Sequence, residues 1–352
     1  MTTLDQARID AFGDQVVADA GATLGAIGVV IGDRLGLWKA MARSGAVTAA
    51  DLAARTATHP RYVREWLGAQ AAAGYVTYDP GSGRYALPAE HAAVLADEDG
   101  SAFLAGLFEV AAACWAAADK TTQGFRTGHG IAWGHQHPCL FQGAERFTRA
   151  RYRAHLVSAW IPALEGVLPR LHAGARVADV GCGAGAATIL LAQAFPASRF
   201  FGFDAHAGSI ELAEKRAQAA GVGDRVTFAV ADATRYPGDG YDLVAHFDCL
   251  HELPDPEAAA RQVRRTLAEG GAWMIVEPLS GDRPEESHTP VGRLYYAAST
   301  VLCVPHALAT GGAALGAQAG PARLGAVAEA GGFSRVRRVA ETPFHLVLEA
   351  RP

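Results

Sequence analysis

The segment from Arg176 to Thr188, RVADVGCGAGAAT, decides the fold of this chain. An apolar run interrupted by Asp179 is followed by three glycines at alternate positions, Gly181, Gly183 and Gly185. Glycine lets the backbone turn with positive φ and pass close to a ligand, and the start of a helix presents free amide groups. The segment therefore predicts a strand, a tight glycine turn and a helix around a ligand. Its spacing alone also fits a dinucleotide fingerprint, so other residues must identify that ligand.

Carboxylates at three successive predicted strand ends indicate the ligand class. Asp179 lies inside the first strand, where a buried charge is costly unless a cation or a donor meets it, and an ammonium group is such a partner. Asp204 ends the second strand, about where an acidic residue reaches ribose hydroxyls. Asp232, next to Ala233, ends the third and is placed to accept from an adenine amino group. An amine, a ribose and an adenine without phosphate indicate S-adenosylmethionine (SAM) rather than a dinucleotide.

From about Gly174 onward the chain resembles the class I SAM-dependent methyltransferases. Together with the preceding region, it is similar to small-molecule O-methyltransferases that carry an N-terminal winged-helix domain. The resemblance implies SAM as methyl donor and S-adenosylhomocysteine as product. The residues expected to bind the cofactor are Asp179, Gly181, Gly183, Gly185, Asp204, Asp232, Ala233 and Phe247. Phe247 stands where plant members tend to have a basic residue, and we expect its ring to stack on adenine instead.

A histidine between acidic residues follows the fourth predicted strand, in the sequence Asp248-Cys-Leu-His-Glu252. Methyl transfer to a hydroxyl requires an acceptor held in line with the donor, exclusion of water and often a base. The resemblance implies His251 as that general base, Glu252 as the neighbouring acid and Glu277 as the residue that orients the base. We expect His251 to be a neutral imidazole with a pKa of about 6.5. An alternative is that His251 only caps the following turn.

Strands and helices alternate through residues 173–352, which predicts an α/β, Rossmann-like methyltransferase sheet of seven strands. The last two strands are close enough in sequence to be antiparallel. The predicted strands include residues 177–180, 199–203, 225–230, 241–247, 272–276, 335–340 and 344–349. Residues 280–320 form a long insertion, and loops of this length are usually functional or mobile. We expect the insertion to supply Tyr295 and Tyr296 to a substrate lid.

Residues 1–90 are predicted to form a mostly α-helical winged-helix domain. Apolar residues recur at helical spacing through residues 4–43, Thr48 is placed to cap a further helix, and His59-Pro60 opens another. Two short apolar runs then flank Asp79 to Gly83, which is typical of a hairpin. Helices followed by a hairpin are the pattern of a winged helix.

The charge of this region argues against DNA binding. Up to residue 90 the sequence holds eight basic and nine acidic residues, whereas a domain that neutralises several phosphates should be clearly positive. We therefore expect a homodimer, formed through the apolar faces of residues 24–38 and 62–67, and no nucleic-acid partner.

Residues 91–172 are predicted to be a mostly helical linker that lines the substrate. Its aromatic residues include Trp133 and Phe141, which we expect to form a wall over an apolar or aromatic molecule. The histidines of the same connector, His129, His135 and His137, match no compact metal-site spacing, so no metal is expected.

Composition excludes several functional classes. The net charge of −5 gives no general attraction to nucleic acid or to an anionic membrane. The apolar segment of residues 21–32 is shorter than the ~20 residues that span a bilayer. Five dispersed cysteines without a C-x-x-C pair indicate reduced thiols in a cytoplasmic protein.

The expected function is SAM-dependent methyl transfer to a small, apolar or aromatic molecule, with oxygen, nitrogen and carbon acceptors all open. One alternative is a SAM-binding enzyme of non-methylating chemistry, such as a decarboxylase, hydroxylase or pericyclase. Another is a ligand-sensing regulator whose winged helix binds DNA.

Overall fold

The computed structural model describes residues 4–352, which divide into two compact units. The first unit comprises the chain up to Ala113 together with Pro138–Ala150. The second comprises Cys114–His137 and Arg151–Pro352.

The N-terminal part of the chain has the predicted order of helices followed by a hairpin. Its elements are α1 (Gln6–Arg34), α2 (Leu37–Ala42), α3 (Ala49–Thr56), α4 (Pro60–Ala72), β1 (Thr77–Asp79), β2 (Arg84–Ala86), α5 (Ala89–Leu95) and α6 (Gly106–Ala116). Thr48 caps α3 in a capping box with Asp51, and His59 caps α4 with Pro60 at its first position. The antiparallel pairing of β1 with β2 confirms the hairpin.

Part of the apolar surface that we expected at a dimer interface is the unit's own core. Val63, Trp66 and Leu67 of α4 are buried, and the Trp66 indole donates to the Gly28 carbonyl oxygen at 2.7 Å. The Trp38 indole donates to the Val29 carbonyl oxygen at 3.1 Å. The C-terminal part of α1 is therefore anchored inside the unit.

The remainder of α1 is exposed. Its large exposed apolar side chains are Ile9, Phe12, Val16, Val17, Leu24, Ile27 and Ile31. By length and composition α1 is also the one helix among the described residues that could cross a membrane. Core helices of soluble proteins and signal sequences can have the same length and composition. The prediction that this region is too short to span a bilayer was wrong, because it counted only residues 21–32 of a 29-residue helix.

The second unit is built on a seven-stranded sheet, as predicted. The helix α7 (Ala118–Thr127) precedes it along the chain, and α8 (Cys139–His155) begins in the first unit and ends in the second. The other elements are α9 (Ile161–Ala163), α10 (Val167–Ala173), β3 (Arg176–Val180), α11 (Ala186–Ala194), β4 (Arg199–Asp204), α12 (Ala207–Ala219), β5 (Val226–Val230), β6 (Tyr241–Phe247), α13 (Pro256–Thr266), β7 (Leu267–Pro278), α14 (Pro290–Val301), α15 (Cys303–Ala309), α16 (Gly320–Ala330), β8 (Arg335–Glu341) and β9 (His345–Arg351).

The sheet order is β5-β4-β3-β6-β7-β9-β8, parallel from β5 to β7, with β9 antiparallel to both β7 and β8. The antiparallel ending was predicted. Alternate residues of β3 face opposite layers of the core, with Val177 in one apolar cluster and Ala178 and Val180 in the other. Because β3 to β7 are parallel, the ends of these strands lie along one edge, where doubly wound sheets bind ligands.

The insertion of residues 280–320 is largely helical rather than a loop. It contains a 3-10 turn at Pro284–Ser287, followed by α14 and α15. Backbone hydrogen bonds tie it to the segment after β6: the Gly316 amide donates to the His251 carbonyl oxygen and the Ala313 amide to that of Pro254, both at 3.1 Å. The helices therefore lie against the segment that carries the predicted base.

Candidate functional site

The glycine turn after β3 is fixed by backbone hydrogen bonds and has free space beside its central glycine, Gly183. The Gly181 and Cys182 amides both donate to the Phe203 carbonyl oxygen, at 2.7 and 3.0 Å. Gly181 has φ +77° and a Cβ there would lie 2.5 Å from the Cys249 sulfur, so only glycine is accommodated. Gly183 has φ +52°, but a Cβ there would meet no atom within 4 Å. Gly183 therefore borders space into which a ligand can enter.

Asp179 has a buried carboxyl group in which only one of the two oxygens accepts a hydrogen bond from the described residues. Its side chain points into the core at 1% exposure, and its Oδ2 accepts from the Thr188 hydroxyl at 2.5 Å. Its Oδ1 is buried and accepts no hydrogen bond from the described residues. Burial raises the pKa of Asp179 to about 7, and the nearby Asp204 contributes. A cationic donor at Oδ1 would supply the missing partner and favour the ionised carboxylate.

The next two acidic residues lie at the ends of neighbouring strands. Asp204, at the end of β4, accepts from the Gly183 amide at 2.9 Å and from the His206 amide at 2.8 Å, so it shapes the glycine turn itself. Asp232 follows β5, is exposed, and accepts from the amide and hydroxyl of Thr234 at 2.7 and 2.5 Å. These hydrogen bonds lower the pKa of Asp232, so it is ionised at neutral pH.

Three other predicted cofactor positions are Ala233, Phe247 and Gly185. Ala233 is half-buried beside Asp232. Phe247 is buried at the end of β6, with its ring centroid 5.3 Å from that of Tyr152. Gly185, with φ +77°, begins α11, and a Cβ there would lie 2.6 Å from the Phe228 ring. Gly185 therefore permits close packing of the helix on the sheet.

His251 and Glu277 form a buried pair. Glu277 is the penultimate residue of β7; one of its oxygens bonds His251 Nδ1 and the other accepts from the Leu250 amide at 2.8 Å. His251 is 4% exposed and Glu277 is 1% exposed. The carboxylate fixes the ring orientation and leaves Nε2 for other partners. The His251 ring also has a hydrogen bond with the Cys303 side chain.

The protonation of this pair differs from the sequence expectation. Burial alone disfavours the charged imidazolium, but the Glu277 carboxylate, followed by Cys303, outweighs it and raises the pKa of His251 well above its usual value. The prediction of an ordinary pKa of about 6.5 was therefore wrong, because it left out the buried partner. Burial also raises the pKa of Glu252 to about 7, against the attraction of His251, and the two side chains approach to 4.0 Å.

Asp248 anchors a polar network that the sequence did not reveal. It has φ +54°, rare for a residue with a Cβ. Its Oδ2 accepts from the Tyr152 hydroxyl at 2.9 Å and lies 3.1 Å from His345 Nε2. Burial opposes the negative charge, but His345 and Tyr152 outweigh it and lower the pKa of Asp248. The position of Asp248 directly after β6 could have marked it as a candidate site residue. Its partners Tyr152 and His345 are 96 and 97 residues away in the chain and could not be predicted from the sequence.

The four predicted substrate residues are placed differently. Tyr295 of α14 is half-buried and donates to the Phe344 carbonyl oxygen at 2.9 Å, and burial, followed by Asp248, raises its pKa. The Trp133 amide donates to His306 Nδ1 on α15 at 3.1 Å. Tyr296 is 40% exposed. Phe141 is half-buried in the first unit.

Within residues 4–352, three side chains are close enough together to bind a metal ion: His251, Glu252 and Cys303, with ligand atoms within 4.8 Å of one another. The connector histidines do not belong to this cluster. The expectation of no metal was made for the connector and did not consider these residues, which the tertiary fold brings together.

Comparisons with known proteins match the two parts of the chain separately. Residues 171–306 match a methyltransferase domain family, and residues 22–97 match the Rv2258c-like winged HTH domain. Over 114 residues the chain is 40% identical to 27-O-demethylrifamycin SV methyltransferase of Amycolatopsis mediterranei (strain S699), covering 32% of this chain and 41% of that protein. The chain thus spans less than half the length of that relative.

Solved structures resemble the chain over nearly its whole length. Mitomycin 7-O-methyltransferase MmcR is 20% identical with a TM-score of 0.73, covering 99% of this chain and 100% of MmcR. Human N-acetylserotonin methyltransferase in complex with SAM is 16% identical with a TM-score of 0.71, covering 100% and 99%. The predicted combination of a class I methyltransferase fold with an N-terminal winged helix is therefore confirmed.

Proposed function

We propose that this chain, which joins a methyltransferase domain to an N-terminal winged-helix domain, transfers a methyl group from SAM to a hydroxyl of a small, apolar or aromatic molecule. The observation that carries the proposal is the arrangement at one sheet edge. The glycine turn and Asp179, with one oxygen lacking a partner, lie at the end of β3. Next to β3 in the sheet is β6, which His251 follows, and Glu277 lies at the end of the adjacent strand β7.

The residues present suit SAM. Asp179 Oδ1 offers a buried acceptor to an ammonium group, and a Cβ at Gly183 would meet no atom within 4 Å. Asp204 and Asp232 offer carboxylate oxygens from the adjacent strand ends to hydroxyl and amino donors. Gly181, Gly185, Ala233 and Phe247 are the other residues proposed to bind SAM. When bound, SAM supplies an electrophilic methyl group on a positively charged sulfur.

The proposed role of His251 is to take the acceptor's proton at Nε2 as the methyl group arrives. Glu277 holds Nδ1 and stabilises the imidazolium that results, so the two residues act as a unit. In the free protein the same carboxylate favours the protonated ring, so His251 must lose a proton before it can act as a base. Tyr295 and Trp133 are proposed to enclose the acceptor and exclude water.

Methyl transfer is tested by measuring S-adenosylhomocysteine release and the mass of the products with small hydroxylated aromatic compounds. His251→Gln should lower kcat by the ~10²- to 10⁴-fold typical of a positioned base and leave SAM affinity nearly unchanged. Glu277→Gln should show a smaller loss. His172→Gln changes an exposed histidine of α10 and is the control. Product identical in mass to the acceptor, or normal turnover by His251→Gln, would contradict the proposal.

We also propose a homodimer in which the exposed face of α1 packs on a second copy. Phe12, Val16 and Leu24 on α1 are all at least half exposed, and clustered exposed apolar side chains are typical of a surface that binds another molecule. Asp10, Asp14 and Asp19 on the same helix favour a protein partner over a bilayer. The absence of disulfides within the described part of the chain agrees with a cytoplasmic location, which we propose as well.

A further inference from the structure

We infer that His251, Glu252 and Cys303 form a binding site for a thiophilic divalent cation, with zinc as the best match. The three side chains come from two elements. His251 and Glu252 belong to the 3-10 turn Leu250–Glu252 after β6, and Cys303 is the first residue of α15.

The ligand set selects the metal. A thiolate, an imidazole and a carboxylate match zinc, which takes sulfur, nitrogen and oxygen ligands in tetrahedral sites, and a sulfur ligand disfavours magnesium and calcium. Three protein ligands leave a fourth position for water or another molecule. Glu252 and Cys303 are only partly buried, which gives an ion a way in.

The distances allow a tetrahedral ion after a small adjustment. Zinc bonds of about 2.0 to 2.3 Å place ligand atoms about 3.3 to 3.8 Å apart. His251 Nε2 lies 4.0 Å from Glu252 Oε2, and all three ligand atoms lie within 4.8 Å of one another. Side-chain rotations that draw the atoms together by about 1.5 Å at most complete the geometry.

The surroundings already have the second layer of contacts typical of a metal site. Metal-binding histidines commonly donate their other ring N–H to a carboxylate, which orients the ring and makes the ligating nitrogen more basic. Glu277 makes this contact at His251 Nδ1. The backbone bond from Gly316 to His251 holds the insertion against the turn, so the Cys303 side is positioned as well.

Zinc at this site would inhibit the proposed reaction, and this consequence rests on the proposed function. His251 Nε2 cannot take a proton from an acceptor while it coordinates a metal. The binding proposal itself stands without methyl transfer, because it is tested by the metal's own spectrum.

The experiment is a titration of the chelator-treated full-length protein with Co²⁺, followed by displacement with Zn²⁺. We expect one Co²⁺ per chain, with a thiolate-to-cobalt charge-transfer band that zinc removes. Cys303→Ser should abolish the band, whereas Cys114→Ser, a change outside the cluster, should retain it. Glu277→Gln should weaken metal affinity by about 10- to 100-fold.

If circular dichroism shows that Cys303→Ser does not fold, Glu252→Gln provides the second test. This variant should bind Co²⁺ more weakly but retain the thiolate-to-cobalt charge-transfer band. A wild-type protein without the band, or an equal band in folded Cys303→Ser, would overturn the proposal. Loss of the band in Cys114→Ser would also overturn it.

Discussion

Replacing Asp179 with Asn should make the protein more stable and less able to bind SAM. The carboxyl group has a folded-state pKa of about 7 against a usual value of 3.8, because its burial costs charge solvation. Between these two pH values the folded protein keeps a proton that the unfolded chain releases. The contribution of Asp179 to the free energy of unfolding therefore falls as pH rises from 3.8 to about 7, and then levels off.

The magnitude follows from these two pKa values. At about 1.4 kcal/mol per pH unit, the interval from 3.8 to about 7 sets an upper limit of about 4 kcal/mol for the cost of Asp179 above pH 7. The replacement asparagine carries no charge, but its amide group finds a poorer set of partners, at a cost of about 1 to 3 kcal/mol. The net stabilisation at pH 8 is therefore at most about 1 to 3 kcal/mol.

Urea unfolding of both proteins at several pH values, without SAM, measures this difference. The advantage of Asp179→Asn should grow by about 2 kcal/mol between pH 5.5 and 7 and change little above pH 8. Asp224→Asn alters a side chain that is 74% exposed and should show no such growth. If the stability difference between Asp179→Asn and the unchanged protein stays constant from pH 5.5 to 8, the reasoning about burial is refuted. If Asp179→Asn binds SAM with unchanged affinity by calorimetry, the proposed contact between Asp179 and the ammonium group is refuted.

Three further outcomes are expected. Gly183→Val should abolish SAM binding by calorimetry, whereas Gly221→Val, at a similar φ of +69° with open space, should not; equal affinities would exclude the glycine turn as the site. In chelator-containing buffer, kcat should still be rising with pH well above the usual histidine pKa, because His251 must be neutral and its pKa is raised. Glu277→Gln should move this rise to lower pH, and a profile that does not move would show that Glu277 does not control the protonation of His251. Removal of the first ~45 residues should weaken the dimer or cause aggregation, and a stable full-length monomer by light scattering would disprove the dimer.

The local sequence determined the strand, turn and helix at the edge of the sheet where SAM is proposed to bind. Asp179 and the glycines at 181, 183 and 185 lie within one strand–turn–helix unit, so their spacing along the chain is also their spacing in space. The caps at Thr48 and His59 and the antiparallel final strands were predictable for the same reason. In each case the interaction joins residues a few positions apart, or strands consecutive in the chain.

Only the tertiary structure decided the chemistry of the polar groups. The raised pKa of His251 depends on Glu277, and the partners of Asp248 are Tyr152 and His345. Cys303 reaches His251 because the insertion folds into helices that pack on the turn after β6. Burial and charge pairing are set by which distant segments pack together, and the order of residues along the chain does not specify those distances.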